Sequence, residues 1–600
     1  MDNRASLNEF ARGATRIDGL AFGGHRGWLH TRSDGAPIRG GVVLCQPFGR
    51  EARNAHRSLW LLAERMAASG FAVLRYDHLG TAESLPLPEA DGWEMWINGV
   101  EHACDLMRRE VGVQALALCG LRLGASLAAI ATSRVGAEAL MLLAPVVKGR
   151  VWLRELQIET ALISGHAQSV GADGGFDANG IWLERQTLDG LKKLDLLQLS
   201  ATAPKVFLAA HGDGDTLLPR LEMLGAQVQT AAFEGYDELF KDAYLNSPPE
   251  ALFQNALTWL RKVSAGWQAT PAIFGLPSSK LEVPCGTERA VAFGKGLLGV
   301  LCTPEVPTPE RKAVILVNTG GDPRAGIGGF AADVSHELCR RGIGSLRFDL
   351  AGLGDSAFDE DWRSHVYETP RDGDFDAAIT LLQTAGFSNL VVAGICSGGY
   401  HALQIASRDS RIAAAYTVNA AILAWRTGDP LTPPPISEGW NKPWLRNLAQ
   451  QVLSLRHWRR AFAGEINWTA ILSNIALRLK RRFFARLDRK MTSALRRSMK
   501  QLSRRGGRAR LVVGSLDASL DELETHFGRD GKWLSRLPGM SIGIMDGLDH
   551  GLFFRESRRL ALDDLVSYVV ALPAAAPQAA NDPAREELSA DAGLTAAAAQ

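Results

Sequence analysis

The sequence predicts an α/β fold made of two tandem domains, each a mostly parallel sheet flanked by helices. Short apolar runs alternate with segments of helical periodicity, which is typical of a parallel sheet with helices on both faces. Several motifs also occur twice in the same order, and 600 residues exceed what one compact core accommodates. We therefore expect a first copy at 1–268 and a second copy at 280–573. The tail at 574–600 is rich in Ala and Pro, and we expect it to be disordered.

The repeat consists of paired motifs, each a β-rich run that ends in a turn or opens a helix. The pairs are GVVLCQPFG (41–49) with AVILVNTGG (313–321), RYDHLGTAES (75–84) with RFDLAGLGDS (347–356), LCGLRLGASLA (118–128) with VAGICSGGYHA (392–402), and KVFLAAHGDGD (205–215) with ARLVVGSLDAS (509–519). Four matches in one order make chance similarity a poor explanation. After the third pair the second copy carries a longer insertion.

In the second copy, strands are predicted at AVILVN, GSLRFDL, LVVAGI, AAAYTV, RLVVGS and MSIGIM. Each is a short apolar run bounded by turn residues, as expected for a strand buried on both faces. FAADVSHELCRRG and FDAAITLLQTAG have helical spacing and lie between these strands. The order strand, helix, strand indicates crossover connections and hence a parallel sheet.

The composition excludes several functional classes. The net charge is +1, which argues against a globally basic nucleic-acid binder and against an acidic disordered chain. Seven Cys without a CxxC pair favour reduced thiols over a disulfide scaffold or a zinc site, and no cofactor is indicated. The N-terminal segment has no apolar signal region, and no uncharged run is long enough to span a membrane. We expect a cytoplasmic protein.

The segment Gly394–Gly399 (GICSGG) follows a predicted strand and opens a predicted helix. The pattern Gly-x-nucleophile-x-Gly is typical of a nucleophile elbow, in which the central residue adopts a strained backbone conformation. The central residue here is Cys396. An acid, Asp517, and a histidine, His550, follow later strands in the order nucleophile, acid, histidine. Asp521 is an alternative acid.

This motif order resembles the α/β-hydrolase superfamily, and the resemblance covers both copies. It implies a Cys396–His550–Asp517 triad, in which His550 exchanges a proton with the thiol and Asp517 orients the imidazole. It also implies an oxyanion hole formed by the backbone N–H groups of Ser397 and of Gly320 in the Asn-Thr-Gly-Gly turn. The Ser397 hydroxyl is a rival nucleophile one residue beyond the apex. A Cys elbow is similar to those of dienelactone hydrolases and polyhydroxyalkanoate synthases.

The first copy lacks two of the three triad members. Arg122 is at the elbow apex and Glu238 at the histidine position, although an acid remains at Asp213 or Asp215. Arg is no nucleophile, so we expect this copy to be catalytically inactive. The segments GLRLGA, PFGRE and GGFDANGIWLERQTLDGLKKLDL resemble hydrolase-like proteins of exosortase and exopolysaccharide systems. We expect Arg122 either to bind a substrate carboxylate or phosphate, or to pair with Glu83, Glu238 or Asp213.

A lid is predicted at about 425–507, because the superfamily carries insertions at this point of the chain. It contains a run rich in Lys and Arg with amphipathic helical spacing. One interpretation is an anionic partner, namely an acyl carrier protein, coenzyme A, a lipid pyrophosphate or a membrane surface, with peripheral membrane association. The other is a solvated face of the lid. No nucleic-acid partner is expected.

Three functions are compatible with these features. The first is a hydrolase or acyltransferase that acts on an ester or thioester, small or linked to a lipid or glycan, through an acyl-enzyme at Cys396. The second is a non-catalytic scaffold of a polysaccharide or lipid pathway. The third is a simple carboxylesterase. Acylation of Cys396 separates the first from the second.

Overall fold

A computed structural model describes residues 14–88, 92–164, 174–178, 180–243, 245–271, 278–357, 366–367, 371–425 and 489–573. The predicted tail and most of the predicted lid, residues 426–488, lie outside the described residues. The described chain forms one sheet of eight strands and one of nine, together with a two-stranded sheet. Two large sheets, mostly parallel and flanked by helices, are consistent with two α/β domains.

The first large sheet has the strand order β1-β2-β4-β3-β5-β6-β9-β10, and β7 and β8 pair separately. Its strands are β1 (Thr15–Phe22), β2 (His25–Arg32), β3 (Gly41–Cys45), β4 (Ala72–Tyr76), β5 (Leu116–Leu121), β6 (Ala139–Leu143), β7 (Phe176–Asp177), β8 (Trp182–Leu183), β9 (Lys205–Ala210) and β10 (Gln227–Ala232). The helices of this half are α1 (Gly49–Ala68), α2 (Gly92–Arg109), α3 (Leu123–Val135), α4 (Gly149–Ser164), α5 (Arg185–Lys193), α6 (Leu218–Met223), α7 (Tyr236–Leu239) and α8 (Glu250–Val263).

The second large sheet has the order β11-β12-β13-β15-β14-β16-β17-β18-β19. Its strands are β11 (Lys280–Val283), β12 (Gly286–Phe293), β13 (Leu297–Pro304), β14 (Lys312–Val317), β15 (Gly344–Phe348), β16 (Asn389–Ile395), β17 (Ile412–Val418), β18 (Arg508–Gly514) and β19 (Met540–Met545). The helices of this half are α9 (Phe330–Cys339), α10 (Asp372–Thr384), α11 (Ser397–Arg408), α12 (Arg489–Arg504), α13 (Ala518–Phe527) and α14 (Arg555–Ala571).

The two sheets have the same topology apart from the additional edge strand β11. In each, antiparallel strands at one edge lead into a parallel series, and the crossovers place helices on both faces. The central strands are buried on both faces, as their continuous apolar runs predict. In β3, for example, Val43 and Cys45 pack into one core, whereas Val42 and Leu44 pack into the core on the opposite face.

Buried ion pairs join the two copies with approximate two-fold symmetry. Arg75 of the first copy pairs with Asp355 of the second at 2.7 Å, and Arg347 of the second pairs with Glu83 of the first at 2.9 Å. Arg75 and Arg347 occupy equivalent positions of the second repeated motif, as do Glu83 and Asp355. Each copy therefore contributes an arginine and a carboxylate from equivalent positions, as in the self-complementary interface of a two-fold dimer.

Arg324 lies at the centre of this interface. Its guanidinium pairs with Glu83 and Asp355 and stacks 4.3 Å from the ring centroid of Trp28. Among the described residues, no helix has the length and apolarity needed to cross a membrane.

Candidate active site

Cys396 occupies the sharp turn between strand β16 and helix α11. Its backbone has φ 49° and ψ −113°, a conformation that residues other than Gly rarely adopt. The turn requires close backbone contact: a Cβ at Gly394 would lie 2.3 Å from the carbonyl carbon of Gly398. The glycines at both sides of the apex are thus required by packing, and they present the Cys396 side chain at the carboxyl end of the sheet.

His550 and Asp517 approach this turn from the loops after β19 and β18. The Nδ1 atom of His550 lies 2.9 Å from Oδ2 of Asp517. The other carboxylate oxygen of Asp517 accepts a hydrogen bond from the Ser519 backbone N–H at 2.8 Å, so the acid also caps α13. Burial alone raises the pKa of Asp517, but His550 and Ser519 outweigh it and hold the pKa below its usual value. Asp517, and not Asp521, is the carboxylate that pairs with the histidine.

Cys396 and His550 line the same cavity. Burial lowers the pKa of His550, but the carboxylate of Asp517 and the neighbouring Cys396 outweigh it and raise that pKa well above 6.5. An imidazole placed between a carboxylate and a thiol can accept the thiol proton as an imidazolium stabilised on both sides. The structure therefore brings the three predicted residues together in the order thiol, imidazole, carboxylate.

Asn419, which the sequence analysis did not single out, fixes the loops that carry the acid and the histidine. It lies directly after β17 with φ 46° and is fully buried. Its amide nitrogen donates to the carbonyl oxygen of Asp549 at 2.8 Å, and its amide oxygen accepts from the Gly514 N–H at 2.8 Å. An Asn after a strand, one of the residues that tolerate a positive φ, is the signal that could have identified it.

The predicted oxyanion-hole residues are also adjacent, but one donor is already used. The backbone N–H of Gly320 donates to Oγ of Ser397 at 2.7 Å. The Ser397 side chain is buried. Its hydroxyl therefore holds the turn that carries Gly320 against the start of α11.

The cavity beside Cys396 has a volume of about 180 Å³ and is lined by residues of both copies. Arg53, on α1 of the first copy, contributes to its wall. Its guanidinium lies 3.4 Å from Asp322, in the same turn as Gly320, and stacks 5.4 Å from the ring centroid of Phe553, just after His550. No local motif marks Arg53, because its role arises from the packing of one copy on the other.

Tyr367 is a second cavity residue that sequence reasoning missed. It is buried, and its pKa is raised well above 10, mainly by burial and further by the neighbouring Cys396. The neighbouring backbone carbonyl of Val366 is held by Nε2 of His401, on α11, at 2.7 Å.

The elbow of the first copy has the same backbone shape with different chemistry. Arg122 has φ 53° and ψ −123°, and its guanidinium pairs with Glu51 and Glu155, each at 2.6 Å. The partners proposed from the sequence, Glu83, Glu238 and Asp213, are wrong: Glu83 pairs with Arg324 and Arg347 across the interface instead, and Glu238 contacts Lys241. Two carboxylates already balance Arg122, and binding of a substrate anion by this residue stays a prediction.

The described part of the basic lid is helix α12. Its buried face is apolar, with Leu495, Met499 and Leu502 in the core. Arg496 and Lys500 lie over the ring of Trp533, at 4.9 and 5.8 Å from its centroid. These two cations therefore contact the protein itself, and an anionic partner at the lid stays a prediction.

Comparisons with known proteins concern the fold. The model of the alpha/beta hydrolase family matches residues 314–565. Est1E from Butyrivibrio proteoclasticus, solved with ferulic acid bound, is 13% identical, with 41% of this chain and 99% of that chain covered and a TM-score of 0.31. The alpha/beta hydrolase GrgF from Penicillium sp. sh18 is 17% identical, with 48% and 98% covered and a TM-score of 0.29. A thermostable esterase from Pseudomonas putida ECU1011 is 15% identical, with 44% and 90% covered and a TM-score of 0.30.

A search of the curated proteins found no match. The family match covers the second copy, which contains Cys396, Asp517 and His550, and leaves the first copy outside it. The mostly parallel, helix-flanked sheet of the second copy is consistent with the fold of that family.

Proposed function

We propose that the second copy is a cysteine-dependent acyl hydrolase or acyltransferase that acts on an ester or thioester. The observation that carries this proposal is the position of His550, whose Nδ1 lies 2.9 Å from Asp517 and which lines the same cavity as Cys396. We assign Cys396 as the nucleophile, His550 as the proton carrier and Asp517 as the group that orients the imidazole.

The first half-reaction acylates the enzyme. His550 takes the thiol proton, and the Cys396 sulfur attacks the substrate carbonyl carbon to form a tetrahedral intermediate. The bond to the leaving group then breaks, and His550 gives the proton to the departing alkoxide or thiolate. The product of this step is a thioester between the acyl group and Cys396.

The second half-reaction releases the acyl group. Water, or an acceptor alcohol, amine or thiol, loses a proton to His550 and attacks the thioester carbonyl. The carbon–sulfur bond breaks, and the proton returns to Cys396. Water gives hydrolysis and another acceptor gives transfer, so one triad supports both reactions.

The negative charge that develops on the carbonyl oxygen needs preorganised donors. We assign this role to the backbone N–H of Ser397, at the start of α11, and to the turn at Gly320. The Gly320 N–H already donates to the Ser397 hydroxyl at 2.7 Å. A small rotation of the Ser397 hydroxyl would let its O–H also donate a hydrogen bond to the oxyanion, while the Gly320 N–H continues to donate to Oγ of Ser397.

The first copy is proposed to be inactive. Its elbow presents Arg122, paired with Glu51 and Glu155, where a nucleophile is required. Its contribution to the reaction is structural, because α1 supplies Arg53 to the wall of the second copy's cavity.

The test is intact-mass spectrometry after incubation with acyl thioesters and p-nitrophenyl esters of short and long chain length. Wild type and Cys396→Ala are compared, with Cys285→Ala as the matched control at another incompletely buried thiol. We expect an acyl adduct in wild type and in Cys285→Ala and none in Cys396→Ala. An adduct that persists in Cys396→Ala would overturn the assignment. Absence of both adduct and turnover with every donor would favour the scaffold interpretation.

A further inference from the structure

We propose that the cavity beside Cys396 extends into the core as an acyl pocket for an apolar chain of about six to eight carbon atoms. The proposal rests on the proposed function, because it takes Cys396 as the atom that receives the acyl group. It adds a substrate class, namely medium-chain acyl donors, which the triad alone does not define.

The inner wall of the cavity is formed by one face of three adjacent strands. Leu316 on β14, Ala393 on β16 and Val418 on β17 all line it. All three belong to the same hydrophobic core, on the face of the sheet that packs against α9 and α14. Because side chains alternate along a strand, Ala393 and Ile395 share this face, as do Tyr416 and Val418. All four line the cavity, which therefore reaches from the elbow at least two residues back along β16 and β17.

Helices α9 and α14 close the opposite side. Phe330 at the start of α9 and Leu565 in the middle of α14 both line the cavity. The phenol of Tyr416, a further lining residue, is held in the core by Asp564, whose Oδ2 accepts its hydrogen bond at 2.9 Å. The inner part is therefore apolar, whereas the polar lining residues, such as Arg53, Asp322 and His550, lie around the reacting centre.

The pocket depends on a small residue. Ala393, on the strand that leads to Cys396, contributes only a methyl group to the cavity wall, whereas the equivalent position of the first copy is Cys119. Ala393 and Leu565 are both fully buried, so changing either alters the cavity without changing the exposed surface.

The volume limits the chain length. An engineered apolar cavity of about 150 Å³ holds a benzene ring, that is, about six carbon atoms. The cavity of about 180 Å³ therefore holds an acyl group slightly larger than this, counted from the carbonyl carbon. Each buried methylene contributes enough to favour the longer chain by about three- to fourfold until the pocket is full.

The first measurement does not require turnover. Alkyl methanethiosulfonates from methyl to decyl transfer their alkylthio group to the Cys396 thiolate, which forms a mixed disulfide and releases methanesulfinate. The rate at Cys396 is followed by peptide mapping, with glutathione as the reference thiol for intrinsic reactivity. We expect the rate relative to glutathione to rise to a maximum near hexyl to octyl and then to fall.

Variants then move this maximum. Ala393→Val fills part of the cavity and is expected to shorten the preferred chain by about two carbons. Leu565→Ala enlarges it and is expected to lengthen the preferred chain by about two carbons. Val569→Ala is the matched control, because Val569 lies on the same helix and in the same core but does not line the cavity. Because the two changes act in opposite directions, failure of one variant to fold leaves the other as the test.

A labelling rate that is flat or that falls steadily from methyl onward overturns the pocket, and so does a maximum that neither cavity variant moves. The same series is run with acyl thioesters to follow turnover. A labelling maximum without any acylation supports the pocket and contradicts the proposed function. Acylation of Cys396 without any preference for chain length supports the proposed function and contradicts the pocket.

Discussion

The two copies keep the same elbow and differ in what the elbow presents. Arg122 and Cys396 have nearly the same strained backbone angles, with φ of 53° and 49°. In both, a Cβ on the glycine two residues before the apex would meet the backbone at the start of the following helix, at 2.4 Å from the Gly124 oxygen and 2.3 Å from the Gly398 carbon. The strained turn is therefore maintained by the packing of strand against helix, and it persists where no nucleophile uses it.

What distinguishes the copies is the partner of the apex side chain. Arg122 meets two carboxylates, whereas Cys396 meets an imidazole that a third residue orients. Elbow geometry alone thus carries little information about activity. The imidazole and the carboxylate behind the apex are the features that separate the copy expected to be catalytic from the copy expected to be inactive.

Removal of the carboxylate behind the imidazole is the strongest way to test this difference. Asp517→Asn cannot hold the Nδ1–H tautomer of His550, and we expect kcat for ester or thioester turnover to fall about 10³- to 10⁴-fold. The pKa of His550 is raised mainly by Asp517, so the variant should also bring the histidine titration to lower pH in NMR spectra. Asp521→Asn is the control and should stay within a few-fold of wild type. Equal losses in both variants would contradict the assignment of the acid.

Much of this arrangement could be predicted from the sequence because it follows chain order. The carboxyl ends of parallel strands meet at one edge, so Cys396, Asp517 and His550 follow three strands to the same place. Arg53 could not be found in this way. It reaches Asp322 across more than 260 residues of chain, and only the packing of the two copies brings them together. The same holds for the Arg75–Asp355 and Arg347–Glu83 pairs, whose repeat symmetry becomes visible once the pairs are known.

The interface offers the next test, through stability instead of activity. Glu83→Gln leaves Arg324 and Arg347 buried with one carboxylate fewer, and we expect a loss of about 3–5 kcal/mol in the free energy of unfolding. Glu94→Gln, which removes a half-exposed partner of Arg134, should change it by less than about 1 kcal/mol. The thermal midpoints of both variants and wild type decide this. A loss in Glu83→Gln no larger than in Glu94→Gln would mean that the ion pairs do not hold the copies together.

The same carboxylate gives the interface a pH dependence. Burial raises the pKa of Glu83, but Arg324 and Arg347 outweigh it and keep the folded pKa below 4.5. A depressed acid contributes stability that is fully present above its unfolded pKa and is lost as the pH falls through the folded value. When the pH is lowered from 7 to below 4.5, the thermal midpoint of wild type should therefore fall by more than that of Glu83→Gln. Plots of thermal midpoint against pH that run parallel for the two proteins would contradict a pH-dependent contribution of Glu83 to stability.

Arg53 tests whether the first copy acts on the second copy's chemistry. Arg53→Ala removes the contact with the turn that carries Gly320 and the stacking on Phe553. We expect kcat to fall about tenfold with little change in KM, because the oxyanion donors are used mainly in the transition state. Arg65→Ala is the control, since Arg65 lies on the same helix but pairs with Glu250 within the first copy and does not line the cavity. A lowered thermal midpoint with unchanged kcat would show that Arg53 stabilises the interface but does not act on the reaction.

Substitution of Ser397 is expected to have the smallest effect on turnover, and it also tests whether Cys396 or Ser397 is the nucleophile. The equivalent position of the first copy is Leu123, so that elbow has no hydroxyl next to its apex. Ser397→Ala removes the acceptor of the Gly320 N–H but keeps the backbone N–H of residue 397 and frees that of Gly320. We therefore expect turnover to fall less than about tenfold, since one contact is lost while both backbone donors remain. If Ser397 were the nucleophile, this variant would abolish acylation and Cys396→Ala would retain it. Mass spectrometry of the two variants with one p-nitrophenyl ester distinguishes these outcomes. If Cys396 is the nucleophile, the acyl adduct forms in Ser397→Ala and not in Cys396→Ala. If Ser397 is the nucleophile, the reverse is observed.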